Sequence, residues 1–181
     1  MSRMILDAVR YHLTEEFGQE PDSASVTFLG LEPIDVLRFA IGDVLTYVTL
    51  GCSRHPMTDP AASVVDSESG PRAELVLSVL GSDDLPGVHR TMAVLAATPS
   101  VEGIILAPDG LLDLADPLWE GAEYTGVLLG ASEIPELIAP GTEDPVQFLR
   151  ASPVTATEMA WVRAKGPAAL REAWAEAGIQ R

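Results

Sequence analysis

The chain has 181 residues, 47% of them apolar and 21% charged, which suits one globular domain with its own core and excludes a disordered chain. Its formal net charge of −16 repels phosphate backbones and argues against nucleic-acid binding. Its apolar runs are too short for the ~20 residues of a membrane span, and the single cysteine excludes an intrachain disulfide or a CxxC metal site.

From the N-terminus, Ser2 is placed to cap a helix whose stripe is Ile5, Val9, Leu13 and Phe17, ended by Gly18. Asp7, Tyr11, His12 and Glu15 interrupt its apolar pattern, so it is not a signal peptide, and the expected address is cytoplasmic. Pro21-Asp22-Ser23 reads as a turn, followed by strands at 25–29 and 34–39 and a clear strand at 45–50. Residues 51–70, with Pro56, Pro60 and a Ser/Asp/Glu cluster, read as a long loop, a kind more often functional or mobile than idle. A strand at 73–80 has the continuous apolar end of a buried central strand. Ser82-Asp83-Asp84 then opens a helix with Val88, Met92 and Leu95 on one face, expected to stop before Pro99. Short strands at 104–106, 127–129 and 146–150 follow, then helices at 155–165 and 167–177 closed by Gly166 and Gly178. The expected fold is a single mixed α/β (α+β) domain over 1–181, a mixed and largely antiparallel sheet flanked by helices.

The charge is uneven. Between Thr91 and Leu149 there is no Lys or Arg, while Asp109, Asp113, Asp116, Glu120 and Glu123 are among the acids of that stretch. Such a surface would steer in a basic protein partner, although acidity also serves solubility alone.

Few residues suggest chemistry. Cys52 and His55 stand where a thiol nucleophile and its base could sit, with Asp59 or Asp66 as orienter, but no catalytic signature surrounds them. His12, His55 and His89 lack metal-ligand spacing, and there is no calcium loop, phosphate-binding glycine motif or Gly-x-Ser-x-Gly elbow. No cofactor or metal is therefore expected. Thr155-Ala156-Thr157-Glu158 is a capping box. Glu74, entering an apolar strand, either pairs with Arg72 on the same face or anchors a loop or faces a partner.

An ordered set of motifs runs through the chain: Pro33-Ile34-Asp35, Tyr47-Val48-Thr49-Leu50-Gly51-Cys52-Ser53, Gly70 through Glu74-Leu75, Pro117-Leu118-Trp119, Val146-Gln147-Phe148-Leu149 and Thr155-Ala156-Thr157-Glu158. In that order they resemble the suppressor-of-fused domain over residues 25–177. Its motif positions here are Asp35, Tyr47, Gly51, Ser53, Gly70, Glu74, Pro117, Thr155 and Glu158. Leu45 and Cys52 depart from the residues common there, both at packing positions. The resemblance implies a non-enzymatic protein-binding module. In animals the domain is half of a two-domain clamp on Gli transcription factors, a clamp not carried over to a single domain. Bacterial single-domain relatives resemble immunity proteins that neutralise toxins, which fits a basic partner. A regulatory or scaffolding module is the alternative, and a Cys52/His55 enzyme the remote one. The expected partner contacts are the 51–70 loop and adjoining strand edge (Asp59, Asp66, Glu68, Glu74), then Asp113, Asp116 and Glu120. Both a monomer and a homodimer are compatible with this reading.

Overall fold

The computed structural model describes residues 2–62, 68–81 and 83–181, which leaves the expectation for Asp66 outside the described residues. Ile5, Val9 and Leu13 are all buried on one face of α1 (Ser2–Phe17). The helix stops at Gly18, whose left-handed φ of 67° lets its amide donate to the Thr14 carbonyl.

An antiparallel meander follows: β1 (Asp22–Val26), β2 (Ile34–Ile41), β3 (Val44–Leu50) and β4 (Arg72–Leu80). After α2 (Val88–Glu102) come β5 (Leu111–Asp113), β6 (Gly126–Ala131), β7 (Leu137–Ile138) and β8 (Pro145–Val154). β8 lies parallel to β4 and antiparallel to β6, so the eight strands run β1-β2-β3-β4-β8-β6-β5, with β7 beside the start of β8. The sheet is mixed and largely antiparallel, as expected. α3 (Ala156–Lys165) and α4 (Pro167–Ala177) complete the chain.

Alternation along the strands divides the core by face. Val36, Leu45, Tyr47, Leu75 and Leu129 pack against Met92 and Leu95 of α2 on one side. Leu37, Phe39, Val48 and Phe148 meet α1 on the other, where Leu128 and Val154 meet Met159, Leu170 and Trp174 of α3 and α4. No helix among the described residues is long and apolar enough to cross a membrane.

Several local expectations are corrected. The first strand lies at 22–26, not 25–29, and absorbs the expected turn; Asp22 faces Arg38 in register and pairs with it at 3.1 Å. That pairing with β2 overrides the poor strand propensity of Asp and Ser. Asp84 does not open α2, whose cap is Gly87; it pairs with Arg38 Nε at 2.8 Å. α2 continues through Pro99 because the Thr98 hydroxyl donates to the Leu95 carbonyl at 2.7 Å, the acceptor that Pro99, lacking an N–H, cannot use. Residues 104–106 pair with no strand, although Leu106 is buried and its amide reaches Met57 Sδ at 3.2 Å. β8 runs on past residue 150 to Val154, and β5 and β7 are strands that the sequence did not announce.

Candidate functional site

The β3–β4 ladder ends at Val48↔Val76, because the next rung is taken over by a side chain. The Thr49 hydroxyl accepts from the Leu75 amide at 2.9 Å and donates to Glu74 Oε2 at 2.6 Å. Glu74 Oε1 receives the Gly51 amide at 2.8 Å, the Ser53 amide at 2.9 Å and the Ser53 hydroxyl at 2.7 Å. Arg72, two residues earlier on β4, donates Nη1 to the Ser53 carbonyl at 2.9 Å and the Arg54 carbonyl at 3.1 Å. The carboxylate thus takes the donors of a single 3-10 turn (Cys52–Arg54) and the guanidinium takes its acceptors. Thr49, Ser53 and Glu74 are wholly buried and Arg72 nearly so.

This arrangement decides between the readings of Glu74. It forms no ion pair with Arg72 and, being enclosed, presents nothing to a partner; it anchors the loop. Burial raises its carboxyl above the ordinary range, while the amides and hydroxyls around it pull the other way. Burial likewise lowers Arg72, partly offset by Asp144. Asp144 Oδ2 also accepts the Gly70 amide at 2.9 Å, so the segment from Gly51 to Gly70 is pinned at both ends by a carboxylate. Gly51 is required where it stands: φ is 153°, and a Cβ would lie 3.2 Å from Ile34 Cα.

Outside the pinned turn is a groove of about 370 Å³, between the loop after β1 and the end of α2, lined by Leu31, Glu32, Cys52, His55, Met57 and Ala97 among others. Glu32 Oε2 holds its rim, 2.9 Å from His55 Nε2 and 3.6 Å from Arg54 Nε. Burial pushes the Cys52 thiol well up, and the Glu74 charge adds to it, so the thiol stays protonated at neutral pH. With the His55 ring nitrogen on Glu32, the pair is not arranged as nucleophile and base.

The remaining expected residues are scattered. Asp35 is half-buried on β2, opposite Ser25 and Leu50, and Tyr47 is buried edge-on to His89 at 5.5 Å. Pro117 is exposed, ahead of buried Leu118. Thr155 and Glu158 form the capping box at α3, with 3.0 Å and 3.2 Å bonds. Glu158 does more: its carboxylate also accepts the Trp174 indole N–H and the Arg181 guanidinium, and Arg181 lies over the Tyr124 and Trp174 rings at 4.8 and 5.4 Å.

Of the expected partner contacts, Asp59, Glu68, Asp113, Asp116 and Glu120 are exposed. Asp59 closes a local turn by accepting the Ala61 amide, and Asp113 pairs with Arg163 at 3.0 Å. β3 and β4, which flank the loop, both lie inside the strand order, whose ends are β1 and β5, and β7 pairs only with β8. Among the described residues no group of three or more His, Cys, Asp or Glu is placed to hold a metal.

Comparison with known proteins points one way. The model of the suppressor of fused protein family matches residues 30–181. Among solved structures, the Sufu–Fu complex superposes with a TM-score of 0.68 at 13% identity, over 93% of this chain and 82% of that one. A protein described as a suppressor-of-fused homologue from Neisseria gonorrhoeae gives 0.68 at 18% identity, over 97% and 91%. Drosophila Suppressor of Fused gives 0.62 at 14% identity, over 88% of this chain and 44% of its own length. No curated protein sequence matches.

Proposed function

Because the chain belongs to the suppressor-of-fused family, we propose that it is a protein-binding module rather than an enzyme, acting as a cytoplasmic immunity-type inhibitor of a basic toxin domain. The observation that carries the reading is the pinned turn: two buried charges, Glu74 and Arg72, hold backbone beside a solvent-facing groove instead of meeting at a reaction centre. Loops fixed from beneath by a sheet are suited to recognition, because little ordering entropy is lost on binding. The exposed Asp59, next in sequence to the groove-lining Thr58, offers that surface a carboxylate for a basic partner. A family relative is crystallised as a complex with Fu, which supports protein binding as the general mode.

The test is affinity capture from the native cells at low and then high salt, followed by titration of the retained protein with purified chain. A basic toxin domain whose activity is blocked and whose affinity falls with salt supports the immunity reading. Retention of an endogenous regulatory protein moves the assignment to a scaffolding module. Absence of any polypeptide partner above nonspecific binding at physiological salt removes the binding function.

A further inference from the structure

On the sheet face that carries α1, cover is incomplete. α1 lies over Leu37, Phe39, Val48 and Phe148, and the α3–α4 pair over Leu128 and Val154. Between them β3, β4 and β8 expose a stripe that includes Ser78, Leu80 (79% exposed) and Arg150. Its floor is polar where Thr46 Oγ1 meets Ser78 Oγ at 3.0 Å. Two depressions, of about 290 and 270 Å³, meet here, and Arg150 lines both.

The first has apolar walls from Phe17, Ile41, Val44, Val76 and Ile134. The second contains Arg171 and Arg181, but both are neutralised: Arg171 donates to Asp109 and to the Leu129 carbonyl at 2.8 Å, and Arg181 is held by Glu158. Arg150 differs. Its side chain is exposed and, among the described residues, has no hydrogen-bond or ion-pair partner; Glu133, an exposed carboxylate in the lining of the first depression, does not bridge to it. A guanidinium presents a planar fork matched to a carboxylate. Apolar walls lower the local dielectric and strengthen such a pair. On a chain of net charge −16, this is a place that favours an acid.

We propose that this groove binds an extended segment of a partner protein, through an Asp or Glu side chain on Arg150 with flanking apolar residues along Phe17, Ile41 and Val44. The surface lies at the Val44 end of β3, away from the pinned turn at its other end, and the proposal does not rest on the immunity reading.

The experiment selects a phage-displayed library of random dodecapeptides on the full chain and measures the enriched peptides by fluorescence anisotropy against wild type, Arg150→Glu and Arg90→Glu. Arg90 is exposed on α2 and makes the same charge change elsewhere. The expected result is enrichment of peptides with an acid beside apolar residues, weakened about tenfold or more by Arg150→Glu and about twofold or less by Arg90→Glu. Both variants should keep the wild-type melting temperature, as exposed substitutions do. Three outcomes overturn the proposal: no enrichment of acidic peptides, equal losses in both variants, or light scattering that shows a wild-type dimer dissociated by Arg150→Glu, which would make a second copy the occupant.

Discussion

Glu74 and Glu158 show two opposite uses of one side chain. Glu74 is enclosed and satisfies a turn; truncation to Ala leaves the Gly51 and Ser53 amides and two hydroxyls without their acceptor. Leaving buried donors unpaired is costly, so Glu74→Ala should lower unfolding free energy by about 3 kcal/mol in urea titration. The same variant should raise the reactivity of Cys52 towards a thiol reagent, because the turn that carries it is no longer held. Unchanged thiol reactivity would mean that packing alone fixes the turn. Glu158 is partly exposed. Burial pushes its carboxyl up, but the Thr155 amide, the Trp174 indole and Arg181 together outweigh that and hold it below its ordinary value. A carboxyl lowered on folding contributes stability above its unfolded pKa of about 4.3 and loses it as pH falls through the lower folded value. Glu158→Gln should therefore cost about 1 kcal/mol at pH 7, allowing for solvent screening, and the difference should shrink towards pH 3 in urea unfolding. A constant difference across that range would assign the loss to packing.

At the scale of elements, α2 and the α3 end of the sheet each depend on one steric accommodation. Thr98 supplies the bond that Pro99 cannot, so Thr98→Val should cost about 1 kcal/mol, read as a lower melting temperature. Thr98→Val combined with Pro99→Ala should recover it, because an alanine amide restores the bond to Leu95. Gly126, where β6 passes under α3, would place a Cβ 2.6 Å from the Leu112 carbonyl and against Met159 Sδ. Backbone cannot retreat there, and Gly126→Ala should cost about 3 kcal/mol by thermal melting. These elements also show what was legible in the sequence. The strands near 45–50 and 73–80, the first helix and the Thr155 capping box were readable because local propensity and tertiary setting agree. β5 and β7, of three and two residues, had no local signal; their support comes from β6 and β8. Pro99 misled for a related reason, since a stop signal was cancelled by its neighbour's hydroxyl. The motif residues Gly51, Ser53 and Glu74 stood out, but not that they form one polar knot with Arg72. That needs the β3–β4 pairing, which joins positions 21 and 23 residues apart.

At the scale of the whole molecule, 27 acidic residues face 11 Lys and Arg, and self-repulsion opposes compaction. Raising sodium chloride from about 10 to 300 mM screens that repulsion and should raise the melting temperature, despite weakening surface pairs such as Arg163–Asp113. A fall instead would mean that the specific pairs outweigh the net charge. The central seam has another consequence. β1 to β4 pair with near neighbours in sequence, whereas β4 meets β8 only after α2 and three further strands, with Arg72 opposite Val146. Closing so long an intervening stretch is slow relative to forming hairpins. During synthesis, then, the meander can assemble while the Arg72–Val76 edge of β4 waits bare for a strand not yet made, an interval in which the nascent chain is most open to aggregation and most in need of a chaperone.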